Sequence, residues 1–211
     1  RASTLTRQLA TNSRGYLPAQ DTVVIDRLVW DTASFAVQGT QTEAVLDVAG
    51  DLWAVEGNIG QLGQVIHNLA LNATQAMPRG GFLRIRCVNL ESGSYAGTGL
   101  DPSRRHVLLE VSDEGDGIPD HIVDRIFDPY FTTREDGTGL GLATCESIVR
   151  QHRGHITVHT APGRGTTFRV YLPAAPGVRI EAASPTPHHS PEEGVKGERQ
   201  WEPGRTERSL R

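Results

Sequence analysis

The segment Asn58–Met77 constrains this chain more than any other stretch. Ile59, Leu62, Val65, Ile66, Leu69, Ala73 and Ala76 recur at three- and four-residue spacing, the period of a helix with one buried face. Pro78 and the pair Gly80-Gly81 stop it. Such a face needs a cover, and the sequence that follows supplies strands. Leu83, Ile85 and Cys87 alternate with Arg84 and Arg86, and Val107, Leu109 and Val111 alternate with Leu108, Glu110 and Ser112. Ile156 and Val158, then Phe168, Val170 and Leu172, give two more strands around the turn Pro162-Gly163-Arg164-Gly165. Upstream, Val23 to Val37 reads as a helix with Ile25, Leu28, Val29 and Ala36 on one side, and Glu43–Val48 and Leu52–Val55 read as short strands. Leu142–Gln151 is helical again. Strands outnumber helices and hairpins mix with crossovers, so an α+β domain of about 155 residues is expected.

Composition limits what else the chain can be. No apolar run approaches the roughly 18 residues of a membrane span. With 21 Lys+Arg against 25 Asp+Glu the net charge is −4, and no basic block stands out, which argues against nucleic acid as the main partner. Cys87 and Cys145 fall in apolar strand-like and helix-like patterns, so both read as packed thiols of a reducing, cytoplasmic setting. From Ala174 onward Pro, Ser, Glu, Arg and Gly dominate, and residues 174–211 are expected to form a disordered tail or linker. At the other end, Leu5 and Leu9 lie one helical turn apart in residues 1–17, which read as the end of a helix begun upstream. The chain opens on Arg1, and we expect it to be a segment of a longer protein, with any membrane anchor in the preceding part.

Three patterns carry chemistry. Gln64, Asn68 and Asn72 fall at i, i+4 and i+8, a polar stripe whose amide oxygens could hold a cation or simply face solvent. Asp113-Glu114-Gly115-Asp116-Gly117-Ile118-Pro119 places a carboxylate at a strand end, followed by glycines that admit a flat ligand or make a tight turn. Gly137-Thr138-Gly139-Leu140-Gly141-Leu142 opens a helix and offers backbone N–H groups and the positive dipole end to a phosphate chain. This run is neither a Walker loop, since no Gly-Lys-Ser/Thr follows, nor a Rossmann turn, since no strand precedes it.

In this order the elements resemble the catalytic ATP-binding domain of sensor histidine kinases, within the GHKL superfamily that includes gyrase B, the heat-shock protein of ninety kilodaltons and MutL. Residues 64–73 resemble the asparagine box, Asp113–Pro119 the first glycine box, and Ile126–Phe131 the phenylalanine box. Gly137–Leu142 resembles the second glycine box and Gly163–Phe168 the closing turn. The variants Asn72–Pro78 and Phe131-Thr132-Thr133 look most like nitrogen-regulator and hybrid-type kinases. The resemblance implies a two-layer sandwich over residues 18–173, the Bergerat fold. About three helices would cover one face of a mixed, mostly antiparallel sheet of about five strands.

It also implies roles. Asp113 would accept the adenine amino hydrogen, with Thr166 sharing a water, while Gly115 and Gly117 clear room for the purine. Asn72 would give its amide oxygen to Mg²⁺, and Asn68 would lie against the triphosphate of ATP; these two are the implied catalytic residues. Gly139 and Gly141 would supply backbone N–H groups to the phosphates, Thr138, Leu140, Leu142, Ile118 and Phe127 would complete the nucleotide site, and Asp128–Thr138 would form a mobile lid carrying Arg134. Two positions depart from the pattern: Gln75 stands where a basic residue is frequent, and Arg134 where lysine is. The acceptor histidine is absent. Residues 5–14 resemble the last turns of the second helix of the dimerising hairpin that would carry it, so the implied partners are that hairpin, a second copy of the full-length protein and a response-regulator receiver domain. A clamp that hydrolyses ATP needs a carboxylate base at the position of Asn68, where an amide cannot accept the proton. A binding module without turnover is the other alternative.

Overall fold

The computed structural model describes residues 21–93, 100, 101, 103–134, 137–175 and 207–209. The segment 1–17 and most of the tail lie outside these residues. Strand β1 (Asp21–Val23) leads into helix α1 (Ile25–Val37), followed by β2 (Thr42–Val48), β3 (Val55–Gly57), α2 (Ile59–Ala76), β4 (Gly81–Leu90) and β5 (His106–Ser112). A short helix α3 (Asp120–Val123), helix α4 (Gly141–Gln151), β6 (His155–Thr160), β7 (Thr166–Pro173) and β8 (Glu207–Ser209) complete it.

The main sheet runs β2-β4-β5-β7-β6-β8. β2 and β4 are parallel, joined by the crossover through α2, and the other neighbours are antiparallel. Five strands thus belong to the domain proper, and β8, three residues from the tail segment, adds a sixth at the β6 edge. The mixed sheet and the helices are those expected of an α+β sandwich. α2 lies between α1 and α4 and contributes Leu62, Val65, Ile66, Leu69 and Ala73 to one core with Leu83 and Ile85 of β4, Leu109 and Val111 of β5, and Phe168 and Val170 of β7. Each fully buried Leu or Ile there stabilises by about 1.5–3 kcal/mol. The other face of the sheet shows ion pairs between residues in register, Arg86 to Asp47 at 3.3 Å and Arg169 to Glu110 at 2.7 Å.

Two expectations shift. The predicted strand Leu52–Val55 is instead Val55–Gly57, paired with β1 in a separate two-stranded sheet. Leu52, Trp53 and Ala54 are buried as an apolar run should be, but Asn89 takes the place of a ladder there. Its Oδ1 accepts from the Trp53 N–H at 2.8 Å and its Nδ2 donates to the Asp51 carbonyl at 2.9 Å. Likewise the first helix begins at Ile25, because Val23 pairs with Val55.

At its start α2 is fastened on both sides. Asn58 caps it, with Oδ1 accepting from the Gln61 N–H at 3.0 Å, and the Asn58 N–H donates to Nε2 of the buried His152, 3.0 Å away at the end of α4. This link fixes α2 against α4, the two helices that flank the cleft described next.

Candidate functional site

Between α2, the end of β5 and the start of α4 lies a cleft of about 780 Å³. Asn68, Asn72, Asp113, Gly117, Ile118, Arg134, Thr138, Gly139, Gly141, Leu142 and Thr166 all line it, so motifs far apart in sequence meet in one place. Gln64 is exposed and does not line the cleft, so the polar stripe of α2 divides, with Asn68 and Asn72 turned inward.

The Asp113 wall is fixed by backbone. Asp113 is buried, and its Oδ1 accepts from the N–H groups of Gly115 at 2.9 Å and Thr166 at 3.1 Å, while its own N–H donates to the Thr166 carbonyl at 2.9 Å. Among the described residues no hydrogen bond reaches its Oδ2, and Asp113 lines the cleft. Burial, only partly offset by the two N–H donors and by Arg134, pushes the carboxyl up to about 6. Gly117 and Gly165 lie at φ of 69° and 82°, and a Cβ on either would overlap a backbone carbonyl, that of Ala161 and that of Asp113 respectively. Only glycine lets the β5 end and the β6–β7 turn close on each other this tightly. Thr160 ties the pair further, accepting from the Ile118 N–H at 2.9 Å and contacting Thr166 Oγ1 at 3.1 Å.

The facing wall is more open. Asn68 Nδ2 donates to the Gly141 carbonyl at 3.1 Å, bracing the start of α4. That helix has Leu140 at its N-cap position and no side-chain cap, so its first-turn N–H groups are available to a ligand. Asn72 is half-buried, and among the described residues no hydrogen bond engages its side-chain amide. Arg134 donates through Nη1 to Gln75 Oε1 and through Nη2 to the Asn72 carbonyl at 3.4 Å. Gly139, at φ 66°, accepts from the Tyr130 N–H at 2.9 Å.

Three expected site residues stand behind the cleft surface. Gly115 packs so closely on Ala76 that a Cβ would meet its carbonyl oxygen at 2.6 Å. Phe127 is buried edge-on against Phe168 with ring centroids 6.3 Å apart, and Leu140 stands at the N-cap position of α4 without capping it. The cleft also gathers Ile122, which no motif singled out. Ile122 lies on the short helix α3, too brief a stretch for apolar spacing to give a distinct signal.

Elsewhere, Cys87 and Cys145 are buried free thiols pushed up to about 12 by desolvation, as packed thiols should be. Among the described residues no helix is long and apolar enough to cross a membrane.

The profile of the family described as histidine kinase-, DNA gyrase B-, and HSP90-like ATPase matches residues 57–176. The chain is 37% identical over 179 residues to the sensor kinase CckA of Brucella abortus, covering 82% of this chain and 19% of that protein. It is 42% identical over 125 residues to the sensory histidine kinase/phosphatase NtrB of Rhodobacter capsulatus, covering 57% of this chain and 34% of that one. Among solved structures, a mycobacterial sensor histidine kinase, MprB, superposes with a TM-score of 0.63 at 25% identity, over 74% of this chain and 99% of that one. The chain therefore spans about a fifth to a third of these two curated relatives' lengths. With the cleft built from the same stretch that the family profile covers, the chain belongs to the family of histidine kinase-, DNA gyrase B-, and HSP90-like ATPases and is homologous to the catalytic domains of sensor histidine kinases.

Proposed function

We propose that this chain binds ATP with Mg²⁺ in the cleft and passes the γ-phosphoryl group to a histidine on the helical hairpin of the same full-length protein. That protein would act as a homodimer and hand the phosphoryl group on to a response-regulator receiver domain. The observation that carries the reading is the convergence of Asp113, Asn72 and the α4 N-terminus on one cleft. Asp113 Oδ1 is held by two backbone N–H groups, leaving Oδ2 to accept a hydrogen from the 6-amino group of adenine, where guanine carries a carbonyl oxygen that cannot donate. The uncapped first turn of α4, with Gly139 and Gly141 beside it, suits the negative phosphate chain.

The residues present fit Mg²⁺. Asn72 offers a hard amide oxygen that no described side chain occupies, and no group of three His, Cys, Asp or Glu among the described residues could hold a metal on protein atoms alone. Most ligands of the ion would then be phosphate oxygens and water, as in other phosphoryl-transfer sites. When bound, the ion neutralises charge that develops on the leaving oxygen. Asn68 braces α4, Arg134 brings the single Lys or Arg side chain among the described cleft-lining residues, and Gly115, Phe127 and Leu140 shape the walls from behind. The segment would work in the cytoplasm, where ATP and the receiver domain are found.

Titration calorimetry tests the binding step: Mg·ATP and Mg·ADP should give saturable heat and GTP none. Equal ATP and GTP binding would overturn the role given to Asp113. Steady release of phosphate that disappears in Asn68→Ala would favour a hydrolytic clamp instead.

A further inference from the structure

The two positions at which the sequence departs from the family pattern, Gln75 and Arg134, lie 59 residues apart yet touch. Arg134 is the single Lys or Arg side chain among the described cleft-lining residues, so a bound triphosphate has one cationic side chain to meet. Its backbone is fixed by a local turn: its N–H donates to Thr132 Oγ1 at 3.1 Å and its carbonyl accepts from the Gly137 N–H at 3.2 Å. The side chain reaches back to α2, where Gln75 Oε1 takes an Nη1 hydrogen and the Asn72 carbonyl takes one from Nη2. A guanidinium has five N–H donors, so three remain. Asn72 and Gln75 are three residues apart and share one face of α2, which puts the cation within a helical turn of the amide proposed to hold the metal.

We infer that Gln75 is a positioning residue for Arg134, seating its guanidinium beside Asn72 so that its remaining N–H groups meet the terminal phosphate of a bound nucleotide. This rests on the nucleotide reading above and deepens it. A neutral amide suits the task because it accepts a hydrogen bond without cancelling the charge that the phosphate needs. A glutamate would hold the cation more tightly and neutralise it, and a lysine would repel it. Gln75 is exposed, so its replacement should leave the fold intact.

The test is calorimetry of Mg·ATP and Mg·ADP on the full 211-residue chain, its Gln75→Ala, Gln75→Glu and Arg134→Ala variants, and the Gln75→Ala/Arg134→Ala double variant. Arg134→Ala should weaken ATP by roughly tenfold or more and ADP by less, since the contact is to the terminal phosphate. Gln75→Ala should weaken ATP by about three- to tenfold and ADP by under about twofold, with an unchanged melting curve. Gln75→Glu should weaken ATP further still. The double variant should bind ATP no worse than Arg134→Ala. If Gln75→Ala weakens both nucleotides equally, or its loss adds in full to that of Arg134→Ala, Gln75 does not act through Arg134 and the inference fails alone. If the parent chain binds neither nucleotide, the nucleotide reading fails and takes the inference with it.

Discussion

Around Asp113 the cleft wall is backbone locked on backbone, whereas the wall from α2 to the start of α4 is held largely by side chains. In the first, Gly117 and Gly165 interlock with the carbonyls of Ala161 and Asp113, and Thr166 and Asp113 exchange hydrogen bonds. In the second, Asn68, Arg134 and Gln75 make the links across it, with backbone bonds from Tyr130 to Gly139 and from Gly137 to Arg134. Reading a flat base needs a carboxylate that does not move. Phosphate and metal change charge and position during transfer, and side chains can follow them.

The largest effect expected from this contrast falls on the locked wall. Gly117→Ala and Gly165→Ala should each cost about 2–5 kcal/mol, the sum of a left-handed backbone and an overlap with main chain. Gly163, in the same turn at φ 72° but with open space where a Cβ would go, should cost only about 1–2 kcal/mol. Denaturant midpoints check this. Equal losses at all three positions would show that the close approach does not hold the wall.

Next is Asp113→Asn, which should lose about 1–3 kcal/mol of ATP binding and most of the preference over GTP. Its effect on stability has the opposite sign. The folded carboxyl titrates at about 6, above the roughly 3.9 of an unfolded Asp, so folding favours its protonated form. That contribution is fully present below about pH 4 and is lost as pH rises through about 6. Asp113→Asn should therefore raise folding stability at about pH 7.5 by about 1–2 kcal/mol and leave it little changed at about pH 4. ATP affinity of the parent chain should fall as pH drops through about 6, because the base needs the ionised oxygen. Denaturant titration and calorimetry across about pH 4–8 measure both.

On the side-chain wall, Asn72→Ala should lower phosphoryl transfer by about tenfold or more while changing nucleotide affinity by less than about threefold. Comparable losses in both would make Asn72 a binding residue rather than a metal ligand. The smallest expected difference is in amide exchange. Residues 130–134 and 137–139 should exchange faster than β5 and β7 without nucleotide and slow on its addition.

These contrasts were unevenly legible in the sequence. α2 could be read because seven apolar residues keep helical spacing, and β4, β5 and β7 because alternation shows which side faces the core. The β1–β3 pair could not, since three-residue strands carry too little pattern and Asn89 supplies the bonds that a ladder would have made for Trp53. At the cleft, Asn68, Asn72, Asp113, Gly117, Gly139 and Gly141 could be singled out from their motifs, and the fold brings them onto one cleft. What the motifs could not reveal was contact across sequence distance: the grip of Gln75 on Arg134, and the packing of Phe127 on Phe168 behind the wall.

The most direct test of phosphoryl transfer to an outside histidine is incubation of this chain with γ-labelled ATP and Mg²⁺, with and without the helical hairpin proposed to carry the acceptor. Acid-labile label should appear on the hairpin, only when both are present, and its rate of appearance should fall by about tenfold or more with Asn72→Ala. Acid-labile label on this chain alone would contradict it, as would an unlabelled hairpin in the presence of bound ATP.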